Sequence, residues 1–329
     1  MMNLNGFQRH FWMRATGWMA AIVIAGGMGF GTAGAMAQGA DAWGQRIETL
    51  RGQIKSAELA HAGAAQLGGL WLQLANRYQD QLNFGDAQDA FVKALRLLRG
   101  AGVDSQYADA LDGMASLELA TGQLGEARDF DKQALAVYET TGDKTRVGKM
   151  HETIALSWLF EHHAREAEEE SAKGLVELHA AAQPDWGEMV AALLTHGYAL
   201  CFEKRCAEGL EDVNQARDLA RAKFPEESLE MTTTLVTRGF VEWKLGAVDE
   251  SDRAMAEAMR LAQGLTDLPQ PVLVGARVQV MRQYGELLKA THRKPEAAEM
   301  EAQIRRLEST QPASCSRCTV SVAALGFMH

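Results

Sequence analysis

Between Leu70 and Leu95, the residues Trp71, Leu74, Ala75, Tyr78, Ala87, Phe91 and Ala94 follow one another at spacings of 3, 1, 3, 9, 4 and 3. Steps of three and four hold side chains on one face of a helix, and the longer gap leaves room for a turn into a second helix. The positions of Ala87 and Ala94 then recur along the chain as Ala127 with Ala134, Ala167 with Gly174, Gly209 with Ala216, Ser251 with Ala258, and Ala297 with Ile304, small residues holding all but the last. A second small series, Ala75, Ala115, Ala155, Gly197, Gly239 and Gly285, keeps the same phase. Two helices pack closely only where small residues face each other and large ones fill the space beside them, so a phased series of small residues predicts stacked helix pairs.

The pattern predicts six such pairs. First helices are expected near 67–81, 107–121, 145–161, 186–202, 227–245 and 271–291, and second helices near 85–98, 125–138, 165–179, 206–223, 249–264 and 295–309. Proline tests the scheme, because it breaks helix interiors but is accepted in linkers and in the first helical turn. Pro184, Pro225, Pro269, Pro271 and Pro312 fall between or after the expected helices or at a helix start, and Pro295 opens one. Ile47, Leu50, Ile54 and Ala57, at helical spacing, predict one more helix, over 45–62, covering the end of the array.

The segment around Trp71 resembles the tetratricopeptide signature, W-x2-L-G-x2-Y followed by A-x3-F-x2-A, with Ala75 in place of the glycine. The resemblance runs over about 67–308 and is nearest to the longer-period repeats of kinesin light chains and many bacterial proteins. It departs from the signature at the place of Phe91, where later repeats carry Ser171, Val213, Met255 and Glu301. The fold it implies is an all-α, right-handed α-solenoid of about six repeats. The organisation that follows is a signal peptide over 1–37, a helical cap over 38–66, the solenoid over 67–308 and a tail over 309–329.

The resemblance also implies a concave groove lined by one stripe of each first helix. That register selects Leu72, Asn76, Gln79 and Asp80 in repeat one, and Asp109, Asp112, Ser116 and Leu119 in repeat two. Repeats three to five supply Glu152, Leu156, Leu159, Phe160, Leu194, Tyr198, Phe202, Val236, Phe240 and Trp243, and repeat six supplies Gln279, Arg282, Glu286 and Lys289. An apolar, aromatic middle of this kind suits a protein or peptide partner, with Phe240 and Trp243 the leading pair. Each of these side chains has a second reading, as part of the core between helices. A clamp for terminal carboxylates is not implied, since Leu72 stands where its lysine would be and the next repeat is acidic.

Composition narrows the partner. The chain carries 33 Lys and Arg against 43 Asp and Glu, a net charge of −10 with no basic block, which disfavours nucleic acid and anionic lipid. Arg9 and Arg14, the apolar run Trp18 to Phe30, and Ala35-Met36-Ala37 before Gln38 read as a secretory signal, with an uncleaved anchor over 18–37 as the alternative. The mature chain is then periplasmic or secreted, with no stable membrane insertion. Its charge would be 31 minus 43, or −12.

Export makes the cysteines candidates for disulfides. Cys201 and Cys206 flank the turn of repeat four, where a bridge and two buried thiols are both open readings. Cys315 and Cys318 form a tail C-x-x-C that reads first as a disulfide, with a four-cysteine zinc site the remote alternative. No HExxH, glycine-rich phosphate loop or G-x-S-x-G elbow occurs, and His162 with His163 read as an exposed turn. No catalytic residue, metal or cofactor is therefore expected. The functional expectation is an exported binding scaffold; the alternative is a self-associating envelope protein, which leaves a homo-oligomer open.

Overall fold

The computed structural model describes residues 40–266 and 268–309, and every regular element among them is an α-helix. Helix α1 spans Ala40–Leu59. Six antiparallel pairs follow: α2 (Ala64–Asp80) with α3 (Phe84–Leu98), α4 (Asp104–Thr121) with α5 (Leu124–Thr141), and α6 (Lys144–Phe160) with α7 (Ala164–His179). The remaining three are α8 (Trp186–Phe202) with α9 (Cys206–Lys223), α10 (Leu229–Lys244) with α11 (Val248–Gly264), and α12 (Gln270–Ala290) with α13 (Lys294–Ser309). Each helix touches chiefly its neighbours in sequence, which makes the molecule an α-solenoid. The helices of the six pairs begin and end within a few residues of the limits read from the hydrophobic pattern.

The small residues sit where the paired helices come closest. Ala75, Ala87, Ala94, Ala155, Ala167, Ala216 and Ala258 are fully buried. At the tightest contact the backbones themselves meet. A Cβ placed on Gly197 of α8 would lie 2.8 Å from the carbonyl oxygen of Gly209 in α9, and one on Gly209 would collide with the Gly197 carbonyl. Ser251 adapts the same position by donating its hydroxyl to the Gly239 carbonyl at 2.6 Å, which satisfies a polar group that burial would otherwise strand.

Every pair closes through the same turn. Leu82, Gly122, His162, Lys204, Gly246 and His292 all have positive φ, between 54° and 82°, and they recur at intervals of 40, 40, 42, 42 and 46 residues. The next residue in each case donates its N–H to the carbonyl five positions back, as in Asn83 to Tyr78 and Arg205 to Leu200, at 2.8 to 2.9 Å. This is the Schellman arrangement, which occupies carbonyls that a helix end leaves open. Only two of the six left-handed positions are glycine, so the other four carry a steric cost.

Successive first helices touch one another along the array, and no comparable contact joins successive second helices among the described residues. The first helices therefore form the inner layer. At the N-terminal end, Ile47, Leu50 and Ile54 of α1 are buried in the apolar cluster of repeats one and two, Ala57 is buried as well, and Arg51 donates to the Tyr78 hydroxyl at 2.9 Å. Residues 1–39 and 310–329, which hold the expected signal and the Cys315–Cys318 pair, lie outside the described residues.

Two substitutions test this account by urea or thermal unfolding. Gly209→Ala is expected to lower stability by about 1–3 kcal/mol, because the added methyl has only backbone to displace. His292→Gly, in an exposed left-handed position, is expected to raise it by about 0.5–1 kcal/mol, the relief of the left-handed strain less the extra freedom of an unfolded glycine.

Candidate functional site

The apolar residues expected in the groove separate into two groups. Leu156, Leu159, Tyr198, Val236 and Phe240 are buried within the main core cluster, together with Leu194. For these five the groove assignment is corrected: they are core residues. The physical cause is the contact between successive first helices, which encloses side chains that a more splayed array would leave open. Phe160, Phe202 and Trp243 remain half-buried at the C-terminal ends of α6, α8 and α10; Phe160 and Phe202 hold equivalent positions two residues before the left-handed turn residue, and Trp243 lies one residue earlier, beside Lys244 in the equivalent place.

The aromatic members are coupled. The Tyr198 and Phe240 rings lie 5.0 Å apart between centroids, Phe202 meets Phe240 edge-on at 5.4 Å, and Tyr198 stacks on Phe202 at 6.0 Å. The Lys244 ammonium sits 4.6 Å from the Trp243 ring and 5.5 Å from that of Phe240, and burial pushes its pKa down. Phe240 therefore supports the half-buried Phe202 from beneath. Truncating it would empty the core before it altered any surface.

Cys201 at the end of α8 and Cys206 at the start of α9 form a disulfide, with their Cα atoms 3.8 Å apart. It closes the turn of repeat four beside the Gly197–Gly209 contact.

The larger surprise is polar. Each first helix carries one buried carboxylate: Asp80, Glu118, Glu152, Glu188, Glu242 and Glu286 on α2, α4, α6, α8, α10 and α12. No Lys or Arg of a first helix is buried as completely as these carboxylates. Asp80, Glu242 and Glu286 are matched within their own helix by Arg77, Arg238 and Lys289. Repeats two to four differ. There Lys149 of α6 bonds Asp112 of α4 at 2.6 Å, and the same ammonium acts on Glu188 of α8, Glu152 of α6 and Asp131 of α5.

Four carboxyl groups thus share one cation. Burial pushes Asp131 and Glu152 far above the usual carboxylate range, with Asp112 adding to the rise at Asp131 and Glu188 to that at Glu152. Burial likewise raises Glu188 to about 7, against the opposing pull of Lys149. Lys149 loses by burial but is carried upward on balance by Asp112, Glu188 and Asp131. Glu152 also accepts from the Thr195 hydroxyl at 3.0 Å, so its carboxyl lies between α6 and α8 in the inner layer. The spacing of the small residues had no means of locating this cluster; Asp112 and Glu152 lay on the expected stripe, but Asp131, Lys149 and Glu188 did not.

Histidine–carboxylate pairs join the helices of repeats three and four, His151 with Glu170 and His196 with Asp212, each at 2.7 Å. The His151 bond holds the Glu170 carboxyl down at about 2. Among the described residues no three His, Cys, Asp or Glu side chains gather as metal ligands, and no helix is long and apolar enough to cross a membrane.

Comparison with known proteins agrees with this architecture. Residues 66–140 match the family model described as Tetratricopeptide repeat. The structure of NprR in complex with its cognate peptide NprX is similar over 87% of this chain and 80% of its own, at 12% identity and a TM-score of 0.59. A Rap protein complexed with Competence and Sporulation Factor overlays on 83% of this chain and 88% of its own, at 13% identity and a TM-score of 0.53. Nearly identical TPR-like repeats of a kinesin light chain protein from Podosopora anserina cover 63% of this chain and 96% of their own at 15% identity, with a lower TM-score of 0.47. No curated protein matches the sequence.

Two measurements check the site. Glu188 faces Lys149, Asp185 and Asp112, and its folded pKa lies above its unfolded one. The folded state therefore holds the proton more tightly, and stability falls as pH rises from the usual carboxylate range to about 7, by on the order of 2–3 kcal/mol. Urea titrations at a series of pH values are expected to show this fall, and Glu188→Gln to make it shallower, with the parts due to Asp131 and Glu152 remaining. Phe240→Ala is expected to cost about 3–5 kcal/mol in the same assay, as emptying a core site does.

Proposed function

We propose that the chain is an exported scaffold without catalytic activity of its own, binding a peptide or extended protein segment along its inner layer of first helices, as long-period repeats of the kinesin-light-chain kind would allow. The observation that carries this reading is the set of aromatics Phe160, Phe202 and Trp243. Half-buried aromatics on a rigid base offer large contact area with little entropy left to lose on binding. Consecutive first helices each present one of these aromatics near the same end, which suits an extended ligand better than a compact one. NprR with its peptide NprX is a solenoid of similar course, and a peptide ligand here follows the same logic.

Export is supported by Arg9, Arg14, the apolar run to Phe30 and Ala35-Met36-Ala37, and the Cys201–Cys206 disulfide fits an oxidising compartment. N-terminal sequencing of the protein recovered from an envelope fraction is expected to begin at Gln38; a chain retaining Met1 would overturn the cleaved signal.

Binding is tested with Phe202→Ala combined with Trp243→Ala, which alters this set and spares Phe240. Crosslinked peptides recovered with this variant are expected to fall about tenfold or more relative to the unaltered protein, with helical circular dichroism retained. Unchanged recovery would remove these aromatics from the binding face.

A further inference from the structure

Each second helix from α3 to α11 packs both on its own first helix and on the next one, whereas among the described residues α13 packs chiefly on α12. Between α12 and α13 lies a cavity of about 310 Å³ with Met281, Gly285, Met300 and Ile304 in its lining. Leu235, Gly239, Ala254 and Ala258 hold the same places in repeat five, 46 residues earlier, the interval that separates the last two turns. There α12 packs on both helices of the pair, and Leu235, Ala254 and Ala258 are buried. The cavity is thus the place where one more first helix would pack.

The lining restricts what can fill it. Where repeat five has Val236, Phe240 and Met255, repeat six has Arg282, Glu286 and Glu301. Three basic and three acidic side chains balance in the lining, and they pair across the two helices, Arg282 with Glu308 at 2.6 Å and Lys289 with Glu301 at 2.8 Å. An apolar segment without charge fits such a surface. A charged one would give up its hydration for groups that already have partners.

Such a segment follows directly in the sequence. Pro312 stands three residues beyond Ser309, where α13 stops, and Gly326 follows it by 14; Pro225 precedes Gly239 and Pro271 precedes Gly285 by the same 14. Gly326 lies 41 residues after Gly285, within the steps of 40 to 46 that separate the small residues of successive first helices. Phe327 follows it as Tyr198 follows Gly197 and Phe240 follows Gly239, and Val322 precedes it by four as Leu193 and Leu235 precede theirs. Thr319 to Met328 contains no charged residue, and 313–328 equals the 16 residues of α10. We propose that residues 313–328 form a seventh first helix, seated in the cavity over Met281, Gly285, Met300 and Ile304. The seat is thereby closed to a second copy of the chain, as α1 covers the first pair at the other end.

Hydrogen exchange of the mature chain, read by mass spectrometry of its peptides at low and high protein concentration, tests this. At both concentrations the amides of 316–328 are expected to exchange about tenfold or more slowly than in a free peptide of the same sequence. Val322→Asp combined with Phe327→Asp is expected to abolish that protection and to speed exchange in 300–308 by about tenfold, with repeats one to five unchanged. Met300→Glu alters the cavity from the other side and is expected to release 316–328 likewise. Should Met300→Glu fail to fold, the double variant decides alone. Unprotected amides over 316–328 in the unaltered chain would overturn the helix. Protection that survives Met300→Glu in a folded protein, or exchange in 300–308 that ignores the double variant, would place the segment elsewhere and overturn the seat. Protection found only at high concentration, together with a dimeric mass, would give the cavity to a second copy and overturn the proposal too.

Discussion

The backbones of paired helices approach until a carbonyl on one helix occupies the space that a side chain would need on the other, as at Gly197 and Gly209. Everything else in the array follows from that closeness. Because each pair is narrow, the large side chains are forced out of the line of contact and into the spaces between pairs, where Phe91, Tyr138, Met150 and Phe240 become fully or nearly fully buried. Those spaces are the core of a solenoid. It has no centre, only a succession of such interfaces, and the position of each depends on the small residues having brought its two helices together.

That constraint explains what could be read from the sequence and what could not. The small positions repeat because the geometry repeats, so Ala87, Ala127 and Ala167 announce the fold without reference to any partner. The turns are half legible: Gly122 and Gly246 mark left-handed positions in the usual way, but Leu82, His162, Lys204 and His292 occupy the same conformation with nothing in their chemistry to reveal it. His162 was recognisable as a turn residue only because it fell between two predicted helices. The groove was the least legible element. Whether Phe240 faces solvent or core depends on how far α8 and α10 are splayed, a few ångströms of tertiary geometry that helical spacing does not contain. The sequence therefore identified the helices and left open, for each of these side chains, a choice between groove and core that burial decides for the core at Leu156, Leu159, Tyr198, Val236 and Phe240.

The polar middle of repeats two to four stands apart. Apolar residues of the cap and first two repeats form one cluster, those from Leu119 onward form another, and a small third cluster that includes Tyr138 and Met150 lies between. The carboxylates around Lys149 occupy this junction, drawing on helices α4, α5, α6 and α8. Their burial weakens the apolar continuity at one level of the array and concentrates its electrostatic demand there. An acidic run such as Glu168-Glu169-Glu170 is conspicuous in a sequence, although only Glu169 is exposed and its neighbours pair with Arg205 and His151; Asp112, Asp131, Glu152 and Glu188 are scattered along the chain and become one group only on folding.

The turn that closes each pair has a further consequence for how such a chain changes over time. Its hydrogen bonds are satisfied entirely within one unit, from Tyr78 to Asn83 in the first and Leu288 to Arg293 in the last. No unit borrows a strand or a cap from a distant one. A whole pair can thus be copied or lost in a single genetic event and leave the remaining seams intact, whereas a cut through the middle of a pair strands two helices with no surface of their own to pack on. Such an array lengthens by whole helix pairs, and reach along a ligand is the property that each such event alters first.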